Sequence, residues 1–185
     1  MVWNVVRYRK QDWFETAARV LVEQGPGRLR VDALCQAAGM TKGSFYHHFR
    51  SLEDFTEAFL GYLDRRGAQQ PLAELARVET PRARLQALVE TIAAEDLALE
   101  AAIRRWAVTE RAVAEHVARV DTARGELVSR LYQGLLPADP QQARDLTRLA
   151  QAFYLGAVLL DPPVQGDEYR RLARLLDRVL EGHDA

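Results

Sequence analysis

The sequence predicts an all-α fold, a head of short helices followed by a bundle of longer ones, about nine helices in total. Apolar residues recur at helical spacing almost throughout, and no segment alternates with period two for long enough to make a strand. Alanine (28) and leucine (25) dominate the 185 residues, whereas the 11 glycines and 7 prolines are scattered and punctuate periodic stretches. With 48% hydrophobic and 28% charged residues the chain is globular, which excludes disordered and collagen-like classes.

The first helix is expected from about Lys10 to Gln24, with Phe14, Ala17, Ala18 and Leu21 inward, and Gly25-Pro26-Gly27 ends it. A short helix follows from Val31 to Ala38, its stripe formed by Val31, Leu34, Cys35 and Ala38. Gly39 stops it, and Thr41 then caps a third helix that runs to about His48. Ser51 caps a fourth, to about Arg66, with Asp54 in the capping-box position and Leu52, Phe55, Phe59 and Leu63 inward.

Beyond Gly67 the helices lengthen. Pro71 is expected to open a short turn of helix, and Thr80-Pro81 reads as an N-cap followed by proline at the first helical position. Leu85, Leu88, Val89 and Ile92 form the stripe of that helix. Further helices are expected over Leu97–Thr109, Ala112–Leu136, Gln141–Leu160 and Asp167–Leu180. There is no internal repeat.

Charge divides the chain. Residues 1–50 carry eight Lys/Arg against four acids, and residues 51–185 carry 17 against 22. A basic head on an acidic body suits a head that meets a polyanion, the alternative being an ordinary solvated surface. The longest uncharged stretch, Leu149 to Leu160, has twelve residues, too few to span a bilayer, so no membrane partner is expected. Arg7, Arg9 and Lys10 stand where a signal peptide needs its apolar run, and a cytoplasmic location is expected. A single cysteine, Cys35, permits no internal disulfide and no paired-cysteine zinc site, and its place on an apolar stripe makes it a core residue. His47 and His48 are neighbours that face apart on a helix, so no metal site is expected there, and His116 and His183 are expected at the surface.

Two short helices joined by a glycine turn let the second lie in a DNA major groove while the first braces it. Here the second helix sends Phe45 and Phe49 toward the core and leaves Lys42, Ser44, Tyr46, His47 and His48 as donors on what remains, with Gly43 permitting close approach. The run Ala38, Gly39, Thr41, Lys42, Gly43, Ser44, Phe45, Tyr46, His48, Phe49, within Phe14–Phe59, closely resembles the DNA-binding head of the tetracycline-repressor (TetR) family. The resemblance implies an N-terminal helix-turn-helix head over residues 1–50, a ligand-binding and dimerisation body over 51–185, and a connecting helix over 51–66. It implies base-edge contacts from Thr41, Lys42 and Ser44, and phosphate contacts from Tyr46, His47 and Lys42, with His48 and Phe49 supporting the head. Arg30 stands where the family usually has a capping Thr or Ser; it caps poorly and can reach a phosphate itself. Leu52 replaces a common lysine, so one phosphate contact is missing, and the expectation is either weaker binding or reliance on Arg7, Arg9 and Lys10 instead.

In the body, Phe59, Tyr62, Trp106, Tyr132, Phe153 and Tyr154 are candidates to line a ligand cavity between helices, Trp106 first among them; plain core packing is the alternative. The last two helices, with small residues Ala150, Gly156 and Ala157, are the expected homodimer surface. No catalytic constellation is found: Glu95 and Asp96 lie near a helix end where solvation accounts for them, and neither a phosphate-binding glycine loop nor a zinc-binding histidine pair is present. The expected function is a non-enzymatic transcriptional regulator without a cofactor, a repressor released from a palindromic double-stranded DNA operator by a small-molecule effector. The alternative is a helical ligand- or protein-binding module that does not bind DNA.

Overall fold

The structure, a computed structural model, describes residues 8–65, 75 and 77–181. Expectations placed on Arg7, Arg66, Gly67, Pro71 and His183 fall outside them. Among the described residues are nine α-helices and no strand: α1 (Lys10–Gln24), α2 (Val31–Ala38), α3 (Lys42–His48), α4 (Leu52–Asp64), α5 (Pro81–Ala94), α6 (Leu97–Ala107), α7 (Arg111–Leu135), α8 (Pro140–Leu159) and α9 (Gly166–Glu181). A single 3-10 turn, Pro26–Arg28, separates α1 from α2. No helix among these residues is long and apolar enough to cross a membrane.

Caps set several boundaries. The hydroxyl of Thr80 accepts from the Ala83 amide at 3.2 Å ahead of Pro81, and the Asp139 carboxylate accepts from the Gln142 amide at 2.9 Å. Ser51 accepts from the Asp54 amide at 3.1 Å, but the reciprocal bond is displaced by one residue. Asp54 accepts from the Arg50 amide at 2.8 Å, and the Arg50 guanidinium, 3.6 Å from the other carboxylate oxygen, holds it there. At Arg30 no side chain caps α2, as the residue type implied.

The chain divides into two compact units, residues 1–65 with 102–117, and residues 66–101 with 118–185. Packing therefore keeps α4 with the head, beyond the functional boundary expected at residue 50. The reason is aromatic. Phe14 of α1 lies 5.9 Å from both Phe55 and Phe59 and 5.1 Å from Tyr62, ring centre to ring centre. Phe45 of α3 and Phe49 just after it join the same cluster, and Trp13 meets Phe45 edge-on at 5.3 Å. The buried face of α1 is wider than its sequence stripe suggested, since Trp13, Thr16 and Val20 are buried with Phe14, Ala17 and Leu21. Cys35 is buried as expected, and burial pushes its thiol up. His116, expected at the surface, is buried, with Nδ1 3.5 Å from the Asp64 carboxylate. Its position on the inward side of a long helix outweighs its polarity.

In the second unit, one core cluster gathers Leu85, Leu131, Tyr132, Ala143 and Leu146. Another gathers Ala93, Ala157, Val164, Tyr169 and Ala173, and a third Leu97, Ala101 and Val158. The outer side of α8 is different: Leu149, Ala152, Gly156, Leu159 and Leu160 are all exposed, and Leu175 of α9 is too. Ala157 is buried and Ala150 packs against the first cluster, so of the three small residues expected on the outer face only Gly156 lies there.

Candidate nucleic-acid interface and small-molecule cavity

The turn between α2 and α3 is built from backbone. Gly39 sits at φ +65° in the left-handed region; its amide bonds the Gln36 carbonyl at 3.2 Å and the next amide, Met40, bonds the Cys35 carbonyl at 2.9 Å. This closes the free carbonyls at the end of α2, and a Cβ there would resist the conformation. Two residues later the Thr41 hydroxyl accepts from the Ser44 amide at 3.2 Å and fixes the start of α3.

Phe45 and Phe49 then pin the helix. They are 0% and 1% exposed, and each buried ring is worth roughly 1.5–3 kcal/mol. With that face committed, Thr41, Lys42, Gly43, Tyr46 and His47 are exposed and Ser44 is half-buried. Tyr46 keeps 53% of its surface in solvent although Phe45 touches its ring edge-on. A Cβ on Gly43 would meet only the Thr41 hydroxyl, at 3.7 Å, so nothing inside the protein demands glycine there. Arg30 is exposed at the start of α2.

Three features of this face were not legible beforehand. Lys42 Nζ lies 2.6 Å from the Asp32 carboxylate, which raises the lysine pKa first through their hydrogen bond and then through charge. His48 Nε2 donates to the Tyr8 carbonyl at 2.8 Å, and the Tyr8 hydroxyl reaches the Asp12 carbonyl and Thr16 in turn. Of the basic residues ahead of α1, Arg9 pairs with Asp12 at 3.6 Å, and Lys10 lies 5.4 Å from the centre of the Phe49 ring. Each depends on chain segments meeting in space, for which spacing in sequence carries no signal.

The second unit holds a cavity of about 570 Å³. Of the six candidates, Tyr132, Phe153 and Tyr154 line it. Phe59, Tyr62 and Trp106 do not; they belong to the first unit, where Phe59 and Trp106 are buried with ring centres 6.3 Å apart. The cavity walls also bring in Glu95, Arg124 and Tyr169. Arg124 donates to both carboxylate oxygens of Glu100, at 3.1 and 3.4 Å, and to the Tyr154 hydroxyl at 3.0 Å. Glu95, expected to be simply solvated, is half-buried: burial pushes its carboxyl up, Arg124 opposes the rise and Glu100 adds to it.

A glycine-turned pair of short helices, the second held by buried rings and carrying donors outward, ahead of a cavity-bearing helical unit, defines a helix-turn-helix regulator. Residues 14–59 match the family described as bacterial regulatory proteins, tetR family. The HTH-type transcriptional regulator BetI of Yersinia pestis (strain Pestoides F) is 26% identical over 175 residues, which cover 91% of this chain and 87% of that protein. A putative TetR-family transcriptional regulator from Rhodococcus sp. shares the fold at a TM-score of 0.66 and 22% identity, over 92% of this chain and 97% of the other. So does a putative transcriptional regulator from Saccharomonospora viridis in complex with choline, at a TM-score of 0.71 and 16% identity, over 93% and 95%. The head of the chain, residues 14–59, thus matches that family, and along most of its length the chain is similar to HTH-type transcriptional regulators.

Proposed function

We propose that the protein is a cytoplasmic repressor that acts by binding rather than by catalysis. As a homodimer it sits on a palindromic operator, with α3 of each copy in the major groove. Thr41, Lys42 and Ser44 meet base edges, Gly43 lets the helix approach, and Tyr46, His47 and Arg30 hold phosphates. The observation that carries this reading is the outward face of α3, polar and exposed while Phe45 and Phe49 anchor the opposite side. One helix of seven residues reads only a few base pairs, so two copies about one helical turn apart, roughly 34–36 Å, supply affinity and address together.

Release follows if a small molecule binds the second unit better in a state where α4 has shifted and the two heads no longer match the groove spacing. The cavity in that unit and the choline held by the Saccharomonospora viridis regulator support a small-molecule effector.

The test is selection of bound duplexes from a random pool, followed by gel shifts at several salt concentrations. A palindrome is expected, with log affinity falling steeply against log salt. Tyr46→Phe is expected to weaken binding to every duplex by about 1 kcal/mol without changing which is preferred. A changed preference would remove Tyr46 from the backbone contacts. Failure to shift any duplex would leave a helical ligand- or protein-binding module instead.

A further inference from the structure

Charged groups of both signs line the cavity of the second unit. Two arginines, Arg124 and Arg148, line it with three carboxylates, Glu95, Asp121 and Asp177, and Glu100 stands behind Arg124. Arg124 is already engaged. Besides its bonds to Glu100 and the Tyr154 hydroxyl, its guanidinium lies 5.2 Å from the centre of the Tyr154 ring. One guanidinium therefore serves both Glu100 and Glu95, and the Glu95 carboxylate makes no hydrogen bond among the described residues.

Aromatic faces share this space. Phe153 and Tyr169 lie 4.9 Å apart, and both line the cavity with Tyr132. Burial pushes both phenols up, Tyr132 to about 12 with Asp177 adding to the rise, and Tyr169 further, with Tyr132 and Glu95 adding. The tyrosines therefore stay neutral, and their rings present the negative face that attracts an organic cation. Leu85, Leu88, Val89 and Ile92 make the remaining wall apolar. A bare, small onium ion would leave most of the 570 Å³ empty and those walls unmatched.

We propose that the cavity takes a lipophilic monovalent ammonium ion, its cationic head held between Glu95 and the Phe153–Tyr169 rings. The assignment rests on the reading of the second unit as the effector site and names the chemistry that site selects. Anionic ligands are disfavoured because the one deep guanidinium is already bound by Glu100.

Calorimetric titration of the purified protein with three soluble probes of equal length tests this: 4-phenylbutyltrimethylammonium, 4-phenylbutanol and 4-phenylbutyrate. The ammonium ion is expected to bind about tenfold tighter than the alcohol, and the carboxylate weakest. In Glu95→Gln, close to isosteric, the ammonium ion should fall to within about threefold of the alcohol while the alcohol keeps its affinity. Equal binding of all three would overturn the cation assignment and leave the effector site standing. A preference for the carboxylate would overturn it too, making Arg124 the reading charge. Undiminished ammonium binding by Glu95→Gln would remove Glu95 from the role. No binding by any probe would overturn both the assignment and the effector reading. The ratio of ammonium ion to alcohol in the unaltered protein needs no variant, so the proposal stays testable if the substitution unfolds the chain.

Discussion

Lys42 is the one lysine on α3, and in the DNA-free protein it is held by Asp32 across the turn. Both side chains are well exposed, so the pair adds little to stability. On the proposed function its effect belongs to binding: DNA must draw the ammonium away from a carboxylate that itself repels the duplex. Asp32→Asn is therefore expected to raise affinity several-fold at low salt, with the gain fading as screening increases, as fluorescence anisotropy against a fixed duplex would show. A loss of affinity would mean that Asp32 aims Lys42 at the groove. The residue scale also shows where sequence reading stops. Thr41, Phe45, Tyr46 and Phe49 could be assigned from spacing alone, because a short helix with two large rings has only one way to bury them. Glu95 could not. Beside Asp96 it reads as a solvated helix end, and only the approach of Arg124 and Glu100 makes its environment visible.

Helices proved the most legible level. α1, α2 and α3 have the bounds expected of them, and α7, α8 and α9 differ by a residue at their ends. Gly39, Thr41, Ser51, Thr80-Pro81 and Pro140 act through local backbone chemistry, which needs no knowledge of the fold. Partner choice between helices needs that knowledge. Trp106 and Tyr132 look alike as aromatic residues on amphipathic helices, yet one joins the cluster of the first unit and the other lines the cavity of the second. At this scale Gly39→Ala is the decisive substitution. A Cβ there meets nothing within 4 Å, so its cost is purely that of the left-handed backbone, about 1–2 kcal/mol. A lower melting temperature and weaker DNA binding are expected together in Gly39→Ala. An unchanged melting temperature would show that the turn has an alternative conformation.

For the whole molecule, the outer side of α8 is the feature left unexplained within one chain. Leu149, Leu159 and Leu160 are 49%, 62% and 58% exposed, and Leu175 of α9 is 44% exposed. Ala152 and Gly156 lie between them and would let another helix approach closely. The double substitution Leu159→Glu with Leu160→Glu is expected to yield monomers in sedimentation velocity, and operator affinity to fall by orders of magnitude because each half-site is then bound alone. A dimer that survives both changes would place the two-fold interface elsewhere. The apolar stripes with their small residues singled out these two helices in the sequence. That pattern set Ala150 and Ala157 on the outer surface, whereas both pack inward, since a helix packed on one side has small residues on both.

The bond from His48 to the Tyr8 carbonyl makes the residue that precedes α1 by two positions a working part of the reading head. Clipping by a protease, or a fusion partner that drags this stretch aside, would slacken the last turn of α3 while leaving every groove-facing side chain in the polypeptide. Lost operator affinity in such a shortened or tagged preparation would then report a loosened brace, with the recognition surface itself unaltered.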